Sequence, residues 1–214
     1  MVAITFVVEM LLFSVTGERV LLFVFPYALL LMVLVKTKNP LAYFSLVLSF
    51  LIILGMGLSL LFGSLKTADL FNKRTLLEPA LISFFYYDYF SQHGITYLSQ
   101  HSFVKDIVAY PYDLDPPNLI GKYYYDNPET HANNGFFADA YMNFGFLGFL
   151  IWPFILAFFL ELADGCSRAR DKGVALATLG IAAVLFTNVE LLTAFFTNGL
   201  ILGLAMVYLL PKQP

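Results

Sequence analysis

The chain has 214 residues, of which 59% are hydrophobic and 13% charged, and it carries a formal net charge of -3 at pH 7. So little charge cannot clothe a soluble globular domain, and the composition points instead to an integral membrane protein. The small net charge offers no basis for nucleic-acid binding, the single cysteine excludes an intramolecular disulfide, and no Cys/His spacing suits a structural zinc site.

A helix rises about 1.5 Å per residue and the hydrocarbon core is about 30 Å thick, so a span needs about 20 mostly apolar residues. On that scale the chain divides into three blocks. Residues 1–62 hold three transmembrane helices, 63–135 form a long extracytoplasmic loop, and 136–214 hold three more helices. The expected fold is an all-α polytopic membrane bundle of about six spans.

The first three spans are read at 1–16, 20–35 and 41–62, joined by tight polar links. The first two are short for a full crossing, and Glu9 lies within the first. A basic stretch and a small-residue cleavage site are both missing at the start, so the first segment is expected to stay as a helix rather than leave as a signal peptide. Residues 63–75 carry Lys66, Lys73 and Arg74, and 76–90 are rich in aromatics. That second stretch is too short and too polar to span. It reads as an interfacial or re-entrant helix starting near Pro79, since proline suits a first helical turn.

Residues 91–134 read as loop, with DLDPP at 113–117, three tyrosines at 123–125 and NNG at 133–135. Backbone of this kind cannot face lipid. A long span follows at 136–162, then a hairpin of two helices at 174–190 and 193–210, with Glu190 at the turn between them. Gly199 and Gly203 form a GxxxG pair, and Gly145 and Gly148 also thin a face, which suits close helix packing.

Lys36 and Lys38 sit in one joint and Arg168, Arg170 and Lys172 in another, so both joints are expected in the cytoplasm. Both termini then lie inside and the loop outside. Lys66, Lys73 and Arg74 end up outside against the same rule, which suggests that an anionic group is held there.

Two stretches can carry chemistry. Arginine grips a phosphate bidentately and lysine adds a point charge, so Lys66, Lys73 and Arg74 fit a lipid phosphate or pyrophosphate; the other reading is an anchor snorkelling to headgroups. The second stretch is ETHANNGFFADAYMNFGFLG at 129–148, where loop becomes helix. Asp139 and Asn143 share a helix face, and polar groups inside a membrane face a cavity or a partner. Histidine titrates near neutrality, so His131 at this mouth can take a proton from an attacking hydroxyl. On the other reading Asn133 or Asn134 caps the helix and His131 is a surface loop residue. The tyrosine clusters can stack on sugar rings or form a headgroup belt. His93 and His101 fit no pattern, and neither GxSxG nor HExxH occurs.

These stretches resemble the bacterial oligosaccharide repeat-unit polymerases of O-antigen and capsule synthesis, which stand with the O-antigen ligases in one superfamily of membrane glycosyltransferases. NKRTLLEPALISFFYYDYFS at 72–91 is similar to the family's arginine followed by an aromatic-rich helix. IGKYYY at 120–125, leading through HANNGFFADAYMNFGFLG at 131–148, is similar to its Asn-containing approach to a helix of DxYxNxGxxG type. The resemblance covers 72–148, and the flanking spans agree only in hydropathy.

The resemblance implies transfer of a growing glycan from undecaprenyl pyrophosphate to the sugar of another lipid-linked repeat unit, on the outer face of the bacterial inner membrane. No nucleotide sugar, metal or other cofactor is implied. Arg74 would hold the donor pyrophosphate and stabilise the leaving group, and His131 would activate or orient the acceptor hydroxyl. Lys66, Lys73, Asn133, Asp139, Tyr141 and Asn143 would bind substrate. Partners would be the lipid-linked oligosaccharide, membrane lipid and other polysaccharide assembly proteins. The chain resembles only the C-terminal half of these longer enzymes, so an absent N-terminal half is a further expected partner and an inactive truncated polymerase is an alternative. A second alternative is a transporter or flippase of lipid-linked oligosaccharides, which would place polar residues along several spans. Here they gather near the end of one.

Overall fold

A computed structural model describes residues 6–8, 10–11, 14–15, 21–61, 73 and 77–212; Glu9, Lys66 and Arg74 lie outside the described residues. Among the described residues every regular element is helical: α1 (Leu21–Leu34), α2 (Pro40–Leu61), α3 (Glu78–His93), α4 (Pro116–Tyr125), α5 (Phe136–Phe144), α6 (Gly148–Ser167), α7 (Lys172–Leu179), α8 (Ala182–Asn188), α9 (Leu191–Phe196) and α10 (Leu200–Leu209). Pro40–Leu61, Phe136–Ser167 and Leu191–Leu209 are long and apolar enough to cross a membrane, and Phe23–Leu34 and Lys172–Asn188 are shorter apolar helices. Along α2 the side chains of Leu41, Leu46, Phe50, Ile53 and Leu60 are all exposed. An apolar surface of that extent is unfavourable in water and compatible with lipid.

Several elements differ from the expected ones, each for a local reason. Within 91–134 the chain forms α4, which begins on Pro116 and Pro117 after Asp115 and ends where Asp126 turns left-handed at φ 52°. The long span at 136–162 is interrupted by a 3-10 turn at Gly145–Leu147, because Gly145 adopts φ 58°, a region costly for other residues. Gly148 then runs so close to the Ala140 carbonyl that a Cβ there would overlap backbone.

The hairpin helices are each split. At Gly180 the ladder tightens, with the Gly180 N–H donating to Leu176 (2.7 Å) and the Ala183 N–H to Gly180 (3.2 Å). At 197–199 the N–H groups of Thr197 and Asn198 both turn back to the Thr193 carbonyl, and Gly199 adopts a left-handed conformation at φ 77°.

Two compact units result. The first comprises residues 1–49, 161–183 and 199–214. In it α7 packs on α1 and α10. The Tyr27 hydroxyl donates to the Gly180 carbonyl (3.3 Å) and Arg170 Nη2 to the Tyr208 carbonyl (2.6 Å). The second comprises residues 50–160 and 184–198. Here α3 packs on α4 and α5 around Tyr86, Phe90, Ile120, Ala138 and Met142. This unit holds the candidate site.

Gly148→Ala should lower the melting temperature of the detergent-solubilised protein, at a cost of about 1–3 kcal/mol for forcing a methyl against rigid backbone. Gly165→Ala, where a Cβ meets nothing within 4 Å, should melt at or above the wild-type temperature.

Candidate functional site

The aromatic helix α3 sets the frame. Its tyrosines and those of α4 pack on one another rather than standing free: Phe85 stacks on Tyr124 with centroids 4.2 Å apart, and the Tyr124 hydroxyl donates to Asp88 Oδ2 at 2.6 Å. Tyr89 stacks on His93, also at 4.2 Å. Buried Tyr86 donates to the Ala132 carbonyl (3.0 Å), while the Ala132 N–H donates to the Pro117 carbonyl (3.2 Å). Burial, foremost, pushes the Tyr86 phenol well above its ordinary value, so it remains a donor. These two bonds tie the segment 131–134 to α3 and α4. His131 and Asn133 are exposed along it and Asn134 is buried. Gly135 is the N-cap of α5 and no side chain caps this helix, so neither asparagine serves as its cap.

Below this segment lies a buried polar knot. Among the described residues Asp139 accepts from Asn143 Nδ2 on Oδ1 (2.7 Å), and on Oδ2 from Trp152 Nε1 and the Leu191 backbone N–H (both 2.8 Å). The amide oxygen of Asn143 accepts from the Thr96 hydroxyl and the Leu98 N–H, both at 2.8 Å. One side-chain pair on α5 thus holds α6, the start of α9 and the loop after α3.

Above the knot opens a cleft of about 420 Å³. The segment before α5 contributes His131, Asn133 and Asn134, the α8–α9 joint contributes Asn188 and Glu190, and the loop after α3 contributes Gln100 and His101. Glu190 is the N-cap residue of α9 but makes no side-chain cap bond, and the Leu191 N–H donates to Asp139. The Glu190 carboxyl lines the cleft, with Oε2 3.7 Å from His101 Nε2. Burial, ahead of the nearby Asp139 charge, pushes Glu190 up to about 8, against opposing pulls from Asn134 and Thr193. Burial also lowers His101. Both shifts favour neutral forms, so at neutral pH the contact joins a carboxyl to an imidazole rather than two ions. Asn134 Nδ2 lies close enough to influence Glu190, yet it is buried and makes no hydrogen bond among the described residues; the same holds for Gln100 Oε1.

Of the residues singled out in the sequence, His131 and Asn133 line the cleft. Asp139 and Asn143 lie beneath it with their polar atoms engaged. Tyr141 packs against Tyr87 and Phe146, with centroids 4.7 and 5.5 Å away. Lys73 is exposed, and Lys66 and Arg74 lie outside the described residues. Sequence reasoning placed Glu190 at a turn and found no pattern for His101, so neither was marked as a site residue. The available signal was Glu190 itself, an ionisable residue between two apolar runs, where charge is costly and usually functional. Among the described residues no group of three His, Cys, Asp or Glu side chains stands ready to hold a metal ion. What the cleft offers is a carboxyl group able to exchange a proton near neutrality, beside two imidazoles and several carboxamides.

Asn143→Ala strands the Thr96 hydroxyl and the Leu98 N–H in a buried setting and should cost about 1–3 kcal/mol, read as a lower melting temperature. Glu190 gives a pH signature. Its folded-state value is raised above the ordinary 4.5, so the stability it contributes is lost as pH rises toward about 8. His101 acts oppositely but only below 6.5. Between pH 6.5 and 8 the melting temperature should therefore fall, and Glu190→Gln should flatten that slope.

Compared with family models, curated proteins and solved structures, the chain matches none of them.

Proposed function

We propose that this chain transfers a glycan from an undecaprenyl-pyrophosphate donor to the sugar of a second lipid-linked repeat unit, as an oligosaccharide repeat-unit polymerase of a bacterial inner membrane. The observation that carries the reading is the cleft that brings His131, Asn133 and Asn134, from the second resembling motif, together with Glu190. Glycosyl transfer needs an acceptor hydroxyl held still and relieved of its proton, and a leaving pyrophosphate whose charge is met. The cleft residues suit the first requirement. Arg74, with Lys66 and Lys73, suits the second, since a guanidinium meets phosphate oxygens with two parallel bonds.

On this reading the three long apolar helices and the shorter ones form a bundle of about six spans. Lys36, Lys38, Arg168, Arg170 and Lys172 hold their joints in the cytoplasm with both termini, so the cleft opens on the outer face.

The test is complementation of a strain lacking the protein. Arg74→Ala and His131→Ala should each abolish glycan chains longer than one repeat unit and let single lipid-linked units accumulate, as read on a gel ladder. A wild-type ladder from both variants overturns the reading. Cysteines placed at 74 and 131 should react with an impermeant thiol reagent added to intact spheroplasts; labelling only after the cells are opened would reverse the orientation.

A further inference from the structure

Among the described residues that line the cleft there is no lysine or arginine, and two carboxyl groups, Asp115 and Glu190, face it. A pyrophosphate placed there would meet two acidic side chains and have only two imidazoles to answer it. The rest of the lining points to another ligand. Asn118, Asn133, Asn134 and Asn188 line it with carboxamides, a chemistry that suits hydroxyls, although the Asn118 and Asn188 amides also donate to the Pro128 carbonyl and the Thr187 hydroxyl.

Two of the lining groups stand incomplete. Asn134, 2% exposed, has its Nδ2 donor unmatched, and Gln100 has its Oε1 acceptor unmatched. Buried polar groups left this way are costly in a finished structure, so these two mark positions that a ligand completes. Hydroxyls can supply both an acceptor for Asn134 and a donor for Gln100. Glu190 faces the same cleft, making no side-chain cap bond to α9 and lying with Oε2 3.7 Å from His101 Nε2.

We propose that this cleft is the acceptor subsite, holding a neutral, hydroxyl-rich sugar, and that Glu190 removes the proton from the attacking hydroxyl. The proposal rests on the glycosyl-transfer reading above. In the step, the acceptor oxygen bonds to the anomeric carbon of the donor glycan. The bond from that carbon to the pyrophosphate oxygen breaks, its electron pair leaving on undecaprenyl pyrophosphate. The acceptor's proton passes to the ionised form of Glu190, the minor form at neutral pH, and from there to solvent. His131, exposed at the rim, orients the sugar. Burial and the Asp139 charge make the Glu190 carboxylate a stronger base than a free one.

The experiment uses the purified full chain reconstituted in liposomes with lipid-linked repeat units extracted from the deletion strain, and measures release of undecaprenyl pyrophosphate. Glu190→Gln should lose about 100-fold or more of the rate, the usual scale for a lost proton acceptor, while eluting as a monodisperse species. Glu190→Ala should be equally slow and recover several-fold on adding formate, a small carboxylate that can enter the vacated space; a merely structural role would not respond. Should the glutamine variant fail to fold, the formate result decides, and no recovery overturns the proposal. If Glu190→Gln turns over at the wild-type rate while Arg74→Ala is inactive, Glu190 is not the proton acceptor and the polymerase reading stands. If the wild-type chain releases no undecaprenyl pyrophosphate, reading and proposal fall together.

Discussion

A carboxylate buried in an apolar surround must be answered by donors, and Asp139 is answered by three among the described residues. Each comes from a different place: Asn143 one turn along α5, Trp152 on α6, and the first N–H of α9. Satisfying this one side chain therefore brings three helices to a common point. Asn143 carries the constraint further by receiving the loop at 96–98. The cleft inherits its shape from this arrangement, because the elements that line it are the ones the knot has fixed.

The same interaction sets the chemistry above it. A glutamate at a helix N-cap ordinarily turns back to bind the helix's own N–H groups. Here Glu190 makes no such bond; its side chain lies 3.7 Å from His101, while Asp139 accepts the Leu191 N–H beside it. In a setting of low dielectric, a lining of carboxamides avoids the desolvation cost that a cationic lining would bring, and among the described residues no lysine or arginine lines this cleft.

The apolar helices were legible because they follow from composition and length: α2 at Pro40–Leu61 lies within a residue of the expected 41–62, and Pro79 stands in the first turn of α3 as expected. α4 was missed although its start carried a signal, an aspartate followed by two prolines, which was read as loop because the surrounding stretch is polar. The breaks at Gly145 and Gly199 were not legible, since a glycine in an apolar run reads equally as a packing surface and as a left-handed turn. Asp139 and Asn143 were singled out as costly polar groups on a membrane helix, and they do meet partners. Which partners could not be read, because Trp152 and Leu191 are brought there by tertiary packing that no spacing rule encodes. The pairing of His101 with Glu190 is illegible for the same reason: only folding makes them neighbours.

The knot also imposes an order on biosynthesis. Asn143 and Trp152 follow Asp139 by 4 and 13 residues, so those donors arrive while the same stretch of chain is emerging. The Leu191 N–H comes 52 residues later. During that interval Asp139 waits with one oxygen served by Trp152 alone, and the cleft has neither Glu190 nor its neighbours on the α8–α9 joint. Completion of the site is thus tied to the arrival of α9, and a nascent chain stalled before that point carries an acid that its apolar surround has not yet fully accommodated.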